Sequence, residues 1–360
     1  MKKLPALRRQ IDALDDRLLA LLDARARLAQ EVYAVKVREA KGDKVKVIVP
    51  EREAQILRRL KQRPRKALPD KGVEAVFREV ISVSRSLEAT PKIAYFGLPG
   101  SNTHDAAKRV FGSLTDYAPK DSIQDVFKEV QEDKSDYGVV PVENSTEGVI
   151  THTLDFLADS DLEVCSEIRV PIHHYLLNRS GKLGGIKRVL SHPQALGQCS
   201  AWLAKHLPLA RTENAPSTSA AVQTVLKDRK KGSAAIGSKL AMEIYGLKAA
   251  ASNIQDKNDN ETRFFVIGKD SPKPTGSDKT SIMFSIRDHV GALAEAIAPF
   301  SSAGINLTAI ESRPSRLKAW DYYFFVDFLG HKDDPKIRRV LGRLQKKVAR
   351  MRVLGSYPAA

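Results

Sequence analysis

The chain has 360 residues, 42% of them hydrophobic, and its 59 Lys plus Arg against 43 Asp plus Glu give a formal charge of +16. That length favours two or three domains, and no run approaches the roughly 18 consecutive apolar residues of a membrane span. The opening MKKLPALRRQIDALDDRLL is charged on both sides of its leucines and does not read as a cleavable leader, so a soluble, cytoplasmic protein is expected.

The basic excess implies attraction to anions without choosing among nucleic acid, acidic membrane and small carboxylates. Residues 1–90 hold 22 Lys plus Arg against 13 Asp plus Glu, and RRLKQRPRK (58–66) and the acid-free stretch 336–352 are the densest runs. Such runs read as solvated helix faces, and the N-terminal ones lack the interleaved aromatics of a single-strand nucleic-acid binder. Cys165 and Cys199 stand 34 residues apart with no CxxC and no His at ligand spacing, so neither a disulfide framework nor a zinc site is expected. His173, His174 and His192 likewise lack carboxylate or Cys neighbours at ligand spacing and read as packing or hydrogen-bonded histidines. No metal and no cofactor are expected.

In chain order, Leu4, Leu7, Ile11, Leu14, Leu18, Leu21, Leu28, Val32 and Val35 step mostly by three and four, which predicts one long amphipathic helix over 4–35. Helices over about 51–60 and 73–87 follow, separated by RPRKALPDKG. A helix about 50 Å long has too little of its own chain to cover it, so a helical dimer is expected. From Lys92 the pattern changes: KIAYFG, DYGVVPVE, RVLSH, SAAIG and RFFVIG read as strands, with SIQDVFKEVQE and QALGQCSAWLAKHL as helices between them. That alternation predicts α/β layers with parallel strands and a ligand at their carboxyl ends. The polar run in GVVPVENSTEG then falls at a strand end, with a helix over 147–157 for which Ser145 or Thr146 is also a candidate N-cap. KPTGSDK (273–279) reads as a linker. Beyond it TSIMFSIRD, GALAEAIAPFSSAG, INLTAIESRPS, WDYYFFVDFLG, PKIRRVLGRLQKKV and RMRVLGSYP follow a βαββαβ, ferredoxin-like order.

Several stretches together resemble one family, the bifunctional chorismate mutase/prephenate dehydratases of phenylalanine biosynthesis, over essentially the whole chain. ALRRQIDALDDRLLALLDARARLAQEVYAVK with PERE is similar to the all-helical mutase domain. PVENSTEG, SHPQALGQC, STSAA and ETRF resemble the dehydratase, and GAL with ESRPS resembles a phenylalanine-binding ACT domain. The expected fold is multidomain: an all-α mutase domain (1–91), a two-lobed α/β dehydratase domain (92–270) and an α+β ferredoxin-like ACT regulatory domain (278–360).

The resemblance implies chorismate binding by Arg8, Arg25, Lys36, Arg52, Glu53, Ser84 and Glu88. Its rearrangement to prephenate is pericyclic, so the protein has only to hold two carboxylates and stabilise charge growing on an ether oxygen. Lys36 and a protonated Glu88 are the catalytic candidates. Arg25 and Lys36, eleven residues apart, share a helix face. Arg8, about 25 Å from Arg25 along a straight helix, is expected to reach a partner chain's site. Val49 stands where several relatives carry an acid, and the segment 37–51 is lysine-rich and longer than in some relatives.

For the dehydratase the resemblance implies Thr262 as hydrogen-bond or proton donor to the leaving hydroxyl, with Arg263 near a substrate carboxylate. The walls are Ser101, Glu143, Asn144, Ser145 and Thr146, facing Ser191, His192, Gln198, Ser217, Thr218 and Ser219. GLPGSNTHDAA (97–107) departs from the family's usual pattern after its first Gly and at Asn102. The effector site implied is Gly291, Ala292 and Leu293 at a helix start, whose amides suit a carboxylate, with Glu311, Ser312, Arg313 and Pro314. Expected partners are chorismate, prephenate and phenylalanine as feedback inhibitor, in a homodimer or higher homo-oligomer, with no nucleic acid and no membrane. The competing expectations are a dehydratase with an impaired mutase and a metabolite sensor without chemistry.

Overall fold

The computed structural model describes residues 4–42, 45–228, 232–257, 259–287, 289–314 and 322–359. The chain divides into two compact units, Met1–Lys92 with Arg109–Asp116, and Ile93–Lys108 with Tyr117–Ala360.

The first unit holds α1 (Leu4–Glu39), α2 (Pro50–Lys61) and α3 (Asp70–Glu88), each longer than its periodicity predicts. α2 opens with Pro50 and carries Glu51 and Glu53 in its first turn and Arg58, Arg59 and Lys61 in its last, the arrangement that suits the helix dipole. α1 buries no residue, and Leu14, Leu18, Leu21 and Leu28 are all more than half exposed. The segment 109–116 binds α3: Arg85 donates to the Phe111 carbonyl at 2.5 Å and Arg78 to that of Val110 at 3.3 Å, while Ser82 Oγ accepts from the Leu114 amide at 3.1 Å.

Next along the chain come β1 (Lys92–Phe96), α4 (Asn102–Phe111), β2 (Asp116–Lys120), α5 (Ile123–Gln131), β3 (Tyr137–Asn144), β4 (Gly148–Val149), α6 (Thr151–Asp159) and β5 (Glu163–Pro171), which belong to the second unit except for Lys92, the last three residues of α4 and Asp116. The chain crosses to a second lobe made of β6 (Tyr175–Asn178), β7 (Arg188–Ser191), α7 (Pro193–Gln198), α8 (Ser200–His206), β8 (Arg211–Asn214), α9 (Thr218–Lys227), β9 (Ser233–Gly237), α10 (Lys239–Tyr245) and β10 (Lys248–Ser252). It then returns as β11 (Glu261–Gly268). The first sheet runs β2-β1-β3-β11-β5, with β4 on β3, and the second runs β10-β6-β9-β7-β8.

The expected parallel pairing holds for β1 with β3 and for β7 with β8 and β9, but β11 is antiparallel to both β3 and β5. β11 re-enters the first lobe from the crossover, so its first residues meet β3 at its carboxyl end: Thr262 pairs with Asn144. The helix expected over 147–157 starts later. Gly148 and Val149 turn back to pair with β3, and α6 begins at Thr151 behind Ile150. Ser145 and Thr146 therefore lie in a hairpin turn and cap no helix.

The C-terminal region comprises β12 (Asp278–Ser285), α11 (Ala292–Ser302), β13 (Leu307–Pro314), β14 (Tyr322–Leu329), α12 (Pro335–Gln345) and β15 (Arg350–Pro358), with sheet order β13-β14-β12-β15. Ser315 of the ESRPS stretch, and Trp320 and Asp321 of the third expected strand, lie outside the described residues. Alternation divides the sheet's faces. Ile282, Phe284, Val326 and Phe328 join Phe300, Ile337, Val340 and Leu344 of α11 and α12. Met283, Phe325, Leu354 and Tyr357 instead enter the first lobe's core beside Val140, Val164, Phe265 and Ile267. Each such side chain contributes about 1.5–3 kcal/mol on full burial. A side chain at Gly355 would strike the Val164 carbonyl, so the close approach of β15 to β5 requires glycine there. The expected linker ends early: Asp278 accepts from the Thr275 and Gly276 amides at 2.8 and 3.0 Å, and Asp278 and Lys279 are buried in β12.

Candidate active sites

In the helical unit α3 receives Arg25 of α1. Arg25 donates to the Ser84 hydroxyl and, at 3.3 Å, to the Val80 carbonyl, to which Ser84 Oγ also donates at 2.8 Å. Burial lowers the Arg25 pKa, as does Arg52 beside it, with Glu88 partly opposing both. Burial raises the Glu88 carboxyl above its ordinary value despite Lys36, Arg85 and Arg25 nearby. Glu88 Oε2 is buried and has no hydrogen-bond partner among the described residues. Lys36 donates to the Lys46 carbonyl at 3.3 Å. Arg25, Lys36, Arg52, Ser84 and Glu88 thus form one neighbourhood, rich in cations and holding a carboxyl inclined to keep its proton.

Glu53 is half-buried, its carboxyl raised by burial and only partly held down by Arg85 and Arg78, with Arg85 Nη1 at 3.4 Å. Arg85 was not anticipated. Its signal is a cation continuing the four-residue steps of Val73, Phe77 and Ile81 along α3, a position that otherwise reads as core. Arg8 is exposed and is not among the groups acting on Arg25, Glu53 or Glu88. Val49 occupies the N-cap of α2 and makes no side-chain cap bond.

In the second unit the strand-end cluster closes into a ring. Asn260 Nδ2 donates to Gln198 Oε1 (3.0 Å), Gln198 Nε2 to Thr146 Oγ1 (3.1 Å), Thr146 Oγ1 to Asn144 Oδ1 (2.5 Å), and Asn144 Nδ2 to Asn260 Oδ1 (2.9 Å). Every bond runs in the same sense, which fixes the orientation of all three amides. His174 enters the ring at Gln198 Oε1 (2.8 Å); since that oxygen only accepts, Nε2 carries the hydrogen, and burial pushes the imidazole pKa down. Asn144 Nδ2 also donates to Thr262 Oγ1 at 2.8 Å. Thr262 is thereby held as an acceptor by the protein, and its own O–H is left to be donated.

Ser145 clasps the start of β11, accepting from the Glu261 amide at 2.9 Å and donating to the Asp259 carbonyl at 3.1 Å. The remaining candidates are spread along the carboxyl edges of the parallel strands and do not enter the ring. Ser191 Oγ is spent on the Ile236 carbonyl, Ser217 caps α9, and His192 caps α7. Thr218 opens α9, and Ser219 is fully buried with no partner for its hydroxyl among the described residues. Ser101 accepts from the His104 amide at 3.2 Å at the start of α4. Its loop meets α10 so closely that a Cβ on Gly100, at φ +81°, would lie 2.7 Å from Ala241 Cα, while Ser238 donates to the Gly100 carbonyl. Glu143 is half-buried and outside the ring.

Arg263 departs from the expected role. Neighbouring strand residues face opposite ways, and its guanidinium is taken up by Glu167, Asp327 and the Tyr357 hydroxyl instead of being open to a substrate carboxylate. His174 and Asn260, which the sequence reading left out, join the site instead. Asn260 was legible, two residues before Thr262, at the spacing that shares a strand face.

At the effector candidates, Gly291 is the N-cap of α11 at φ +84°, and no side chain caps the helix start at Ala292 and Leu293. Glu311 and Arg313 alternate with the exposed Ser312 and Pro314 on edge strand β13. Arg313 Nη2 pairs with Asp155 of α6 at 3.2 Å.

A helical cluster of cations around a buried carboxyl, a two-lobed α/β site ending in a polarised threonine, and a ferredoxin-like domain define a multidomain enzyme for small carboxylate substrates with an attached regulatory module. Family models match in that order: chorismate mutase type II over residues 7–89, prephenate dehydratase over 93–272 and the ACT domain over 280–345. The bifunctional chorismate mutase/prephenate dehydratase of Aquifex aeolicus (strain VF5) is 43% identical over 100% of this chain and 99% of its own. That of Pseudomonas aeruginosa is 42% identical over 99% and 98%. The prephenate dehydratase of Arthrobacter aurescens, solved in complex with L-Phe, superposes with TM-score 0.69 at 35% identity, covering 75% of this chain and 90% of that one. The chain belongs to the bifunctional chorismate mutase/prephenate dehydratase family.

Proposed function

We propose that Thr262 donates a hydrogen bond to the hydroxyl leaving prephenate, with Asn144 setting its direction, and that Arg25, Lys36, Arg52, Glu53, Ser84 and Glu88 bind chorismate together with Arg8 of a second copy. As a member of its family the chain is a bifunctional enzyme, rearranging chorismate to prephenate and converting prephenate to phenylpyruvate, CO2 and water. The mutase region is assigned to 1–91, the dehydratase to 92–270 and the regulatory region to 278–360.

In the dehydratase step the ring-to-carboxyl bond breaks and CO2 departs. Its electron pair completes the aromatic ring as the C–O bond to the hydroxyl breaks, and the oxygen leaves as water after taking up one proton. The observation that carries the assignment of Thr262 is the 2.8 Å bond from Asn144, which occupies the hydroxyl as acceptor and frees its hydrogen for the departing oxygen. In the mutase a protonated Glu88 and Lys36 meet the charge growing on the ether oxygen, and the arginines hold the carboxylates.

Phenylalanine is the proposed effector, its carboxylate at the amides of Ala292 and Leu293 and its ammonium near Glu311; the L-Phe complex of the Arthrobacter relative supports this. The bare leucines of α1 support a homodimer in which a second copy covers them and brings Arg8 to the site. A cytoplasmic location belongs to the same proposal; no described helix is long and apolar enough to cross a membrane.

The test is phenylpyruvate formation from chorismate and from prephenate, each with and without phenylalanine. Product from both, suppressed by phenylalanine, is expected. Product from prephenate alone would leave a dehydratase with a failed mutase, and indifference to phenylalanine would remove the effector assignment.

A further inference from the structure

On the face of β11 opposite Thr262, the Arg263 guanidinium lies over Phe265, 4.7 Å from the ring centre, and Phe265 meets Tyr357 edge-on at 5.9 Å. Glu167 of β5 accepts from Arg263 Nε at 2.7 Å and Nη2 at 2.6 Å. Asp327 of β14 pairs with Nη1 at 2.6 Å, and the Tyr357 hydroxyl of β15 accepts from Nη2 at 3.2 Å. Lys279 of β12 pairs with the second Glu167 oxygen. Ser281 donates to Asp327 at 2.5 Å, with the Tyr357 hydroxyl 2.7 Å away.

Two cations and two carboxylates therefore balance in a space where none of the four side chains is more than 10% exposed. Burial alone would lower the Arg263 pKa, but Asp327, Tyr357 and Glu167 hold it above its ordinary value. Burial would raise the Glu167 carboxyl, and Arg263 with Lys279 keeps it low. A buried ion cluster adds little net stability over an apolar filling of the same volume. What it supplies is geometry: Arg263 and Lys279 both anchor on Glu167 of β5, and the remaining members, Lys279, Asp327 and Tyr357, sit on three strands of the C-terminal sheet.

We propose that Arg263 is a positioning residue for Thr262, and that its cluster with Glu167, Lys279, Asp327 and Tyr357 is the line by which effector binding in the C-terminal region reaches the dehydratase centre. The proposal rests on the reading of Thr262 as the donor. Because Thr262 immediately precedes Arg263 on the same strand, a displacement of β12, β14 or β15 moves the strand that aims the hydroxyl. Near-attack geometry tolerates little such movement, and a displacement of about 1 Å is worth up to ~100-fold in rate.

The test uses the full chain carrying Asp327→Asn, Tyr357→Phe, Arg263→Gln or Arg263→Lys. It measures kcat and KM for prephenate and the phenylalanine concentration for half-inhibition, with mutase turnover and thermal melting as controls of folding. Asp327→Asn is expected to lower kcat about 10-fold or more while KM stays within about 2-fold, and to shift half-inhibition by about 5-fold or more. Tyr357→Phe, which removes one oxygen and no charge, reads the same effects at about 2- to 3-fold even if the charge variants fold poorly. Arg263→Lys should fall between wild type and Arg263→Gln, because it restores the charge without the fork. A large rise in KM with kcat retained in Arg263→Gln would make Arg263 a substrate ligand. Wild-type kinetics and phenylalanine response in both Asp327→Asn and Tyr357→Phe would also overturn the proposal. Failure of the Thr262 reading itself is separate: Thr262→Val would then keep its turnover while the Asp327 and Tyr357 variants were still altered.

Discussion

The long helix α1 and the strand β11 solve opposite problems with the same resource. α1 spends nine periodic apolar residues and buries none of its 36 within the chain, whereas β11 buries seven of eight and draws partners from two sheets. A helix exposes a stripe that one neighbouring helix covers only in part, while a central strand is covered on both faces and both edges. Within one chain the apolar stripe of α1 is therefore left exposed, whereas β11 is enclosed.

The sharpest break of that contrast is Thr262→Val, expected to reduce phenylpyruvate formation from prephenate about 10²- to 10⁴-fold with chorismate consumption unchanged. An equal loss of both activities would mean the two centres do not work independently. Next comes Leu14→Asp with Leu21→Asp on α1. Mutase turnover should fall about 10-fold or more as the covering copy is lost, the sedimentation coefficient should drop, and dehydratase turnover should persist.

Asn260→Ala removes two ring bonds and is expected to lower dehydratase kcat about 10-fold, the equivalent of roughly 1.4 kcal/mol in bonds left unmade. Val49→Asp would supply the missing cap of α2 and add about 0.5–2 kcal/mol, read as a higher melting temperature of the helical unit. The smallest effect is in pH dependence. Burial raises the Glu88 carboxyl, so its proton-donating form persists above the ordinary carboxylate range and is lost as pH rises through the elevated value. Mutase turnover should decline along that limb, and Glu88→Gln should flatten it. A flat wild-type profile from about pH 5 to 9 would end the assignment.

Much of this was legible from residues alone. Steps of three and four placed α1, α2 and α3 to within a few residues, and the apolar runs KIAYFG, DYGVVPVE and RFFVIG became β1, β3 and β11. Asn144, Thr146 and Gln198, all expected site residues, meet in the ring, and Asn144 ties Thr262 to it. Asn260 and His174 were missed because each looks ordinary until two crossover segments are brought together; the Asn260 carbonyl accepting from the Ile172 amide and the His174 carbonyl from that of Ile254 are long-range events. The engagement of Arg263 by Glu167, Asp327 and Tyr357 is not legible in the string TRF, which hides the two-residue alternation that sends its first and second side chains to opposite faces.

The sequence by itself determined the order of the three regions, the periodicity of their elements and the residue types at each centre, because those follow from local spacing along a helix or strand. Only the tertiary structure decided that β11 runs against β3, that Ser145 and Thr146 turn a hairpin, and that Arg263 meets Asp327 and Tyr357 in another domain. Local spacing specifies which face a side chain occupies. What that face meets, 96 residues away at Glu167 and 94 at Tyr357, is decided by how the sheets close over one another and by the demand that buried charges find partners.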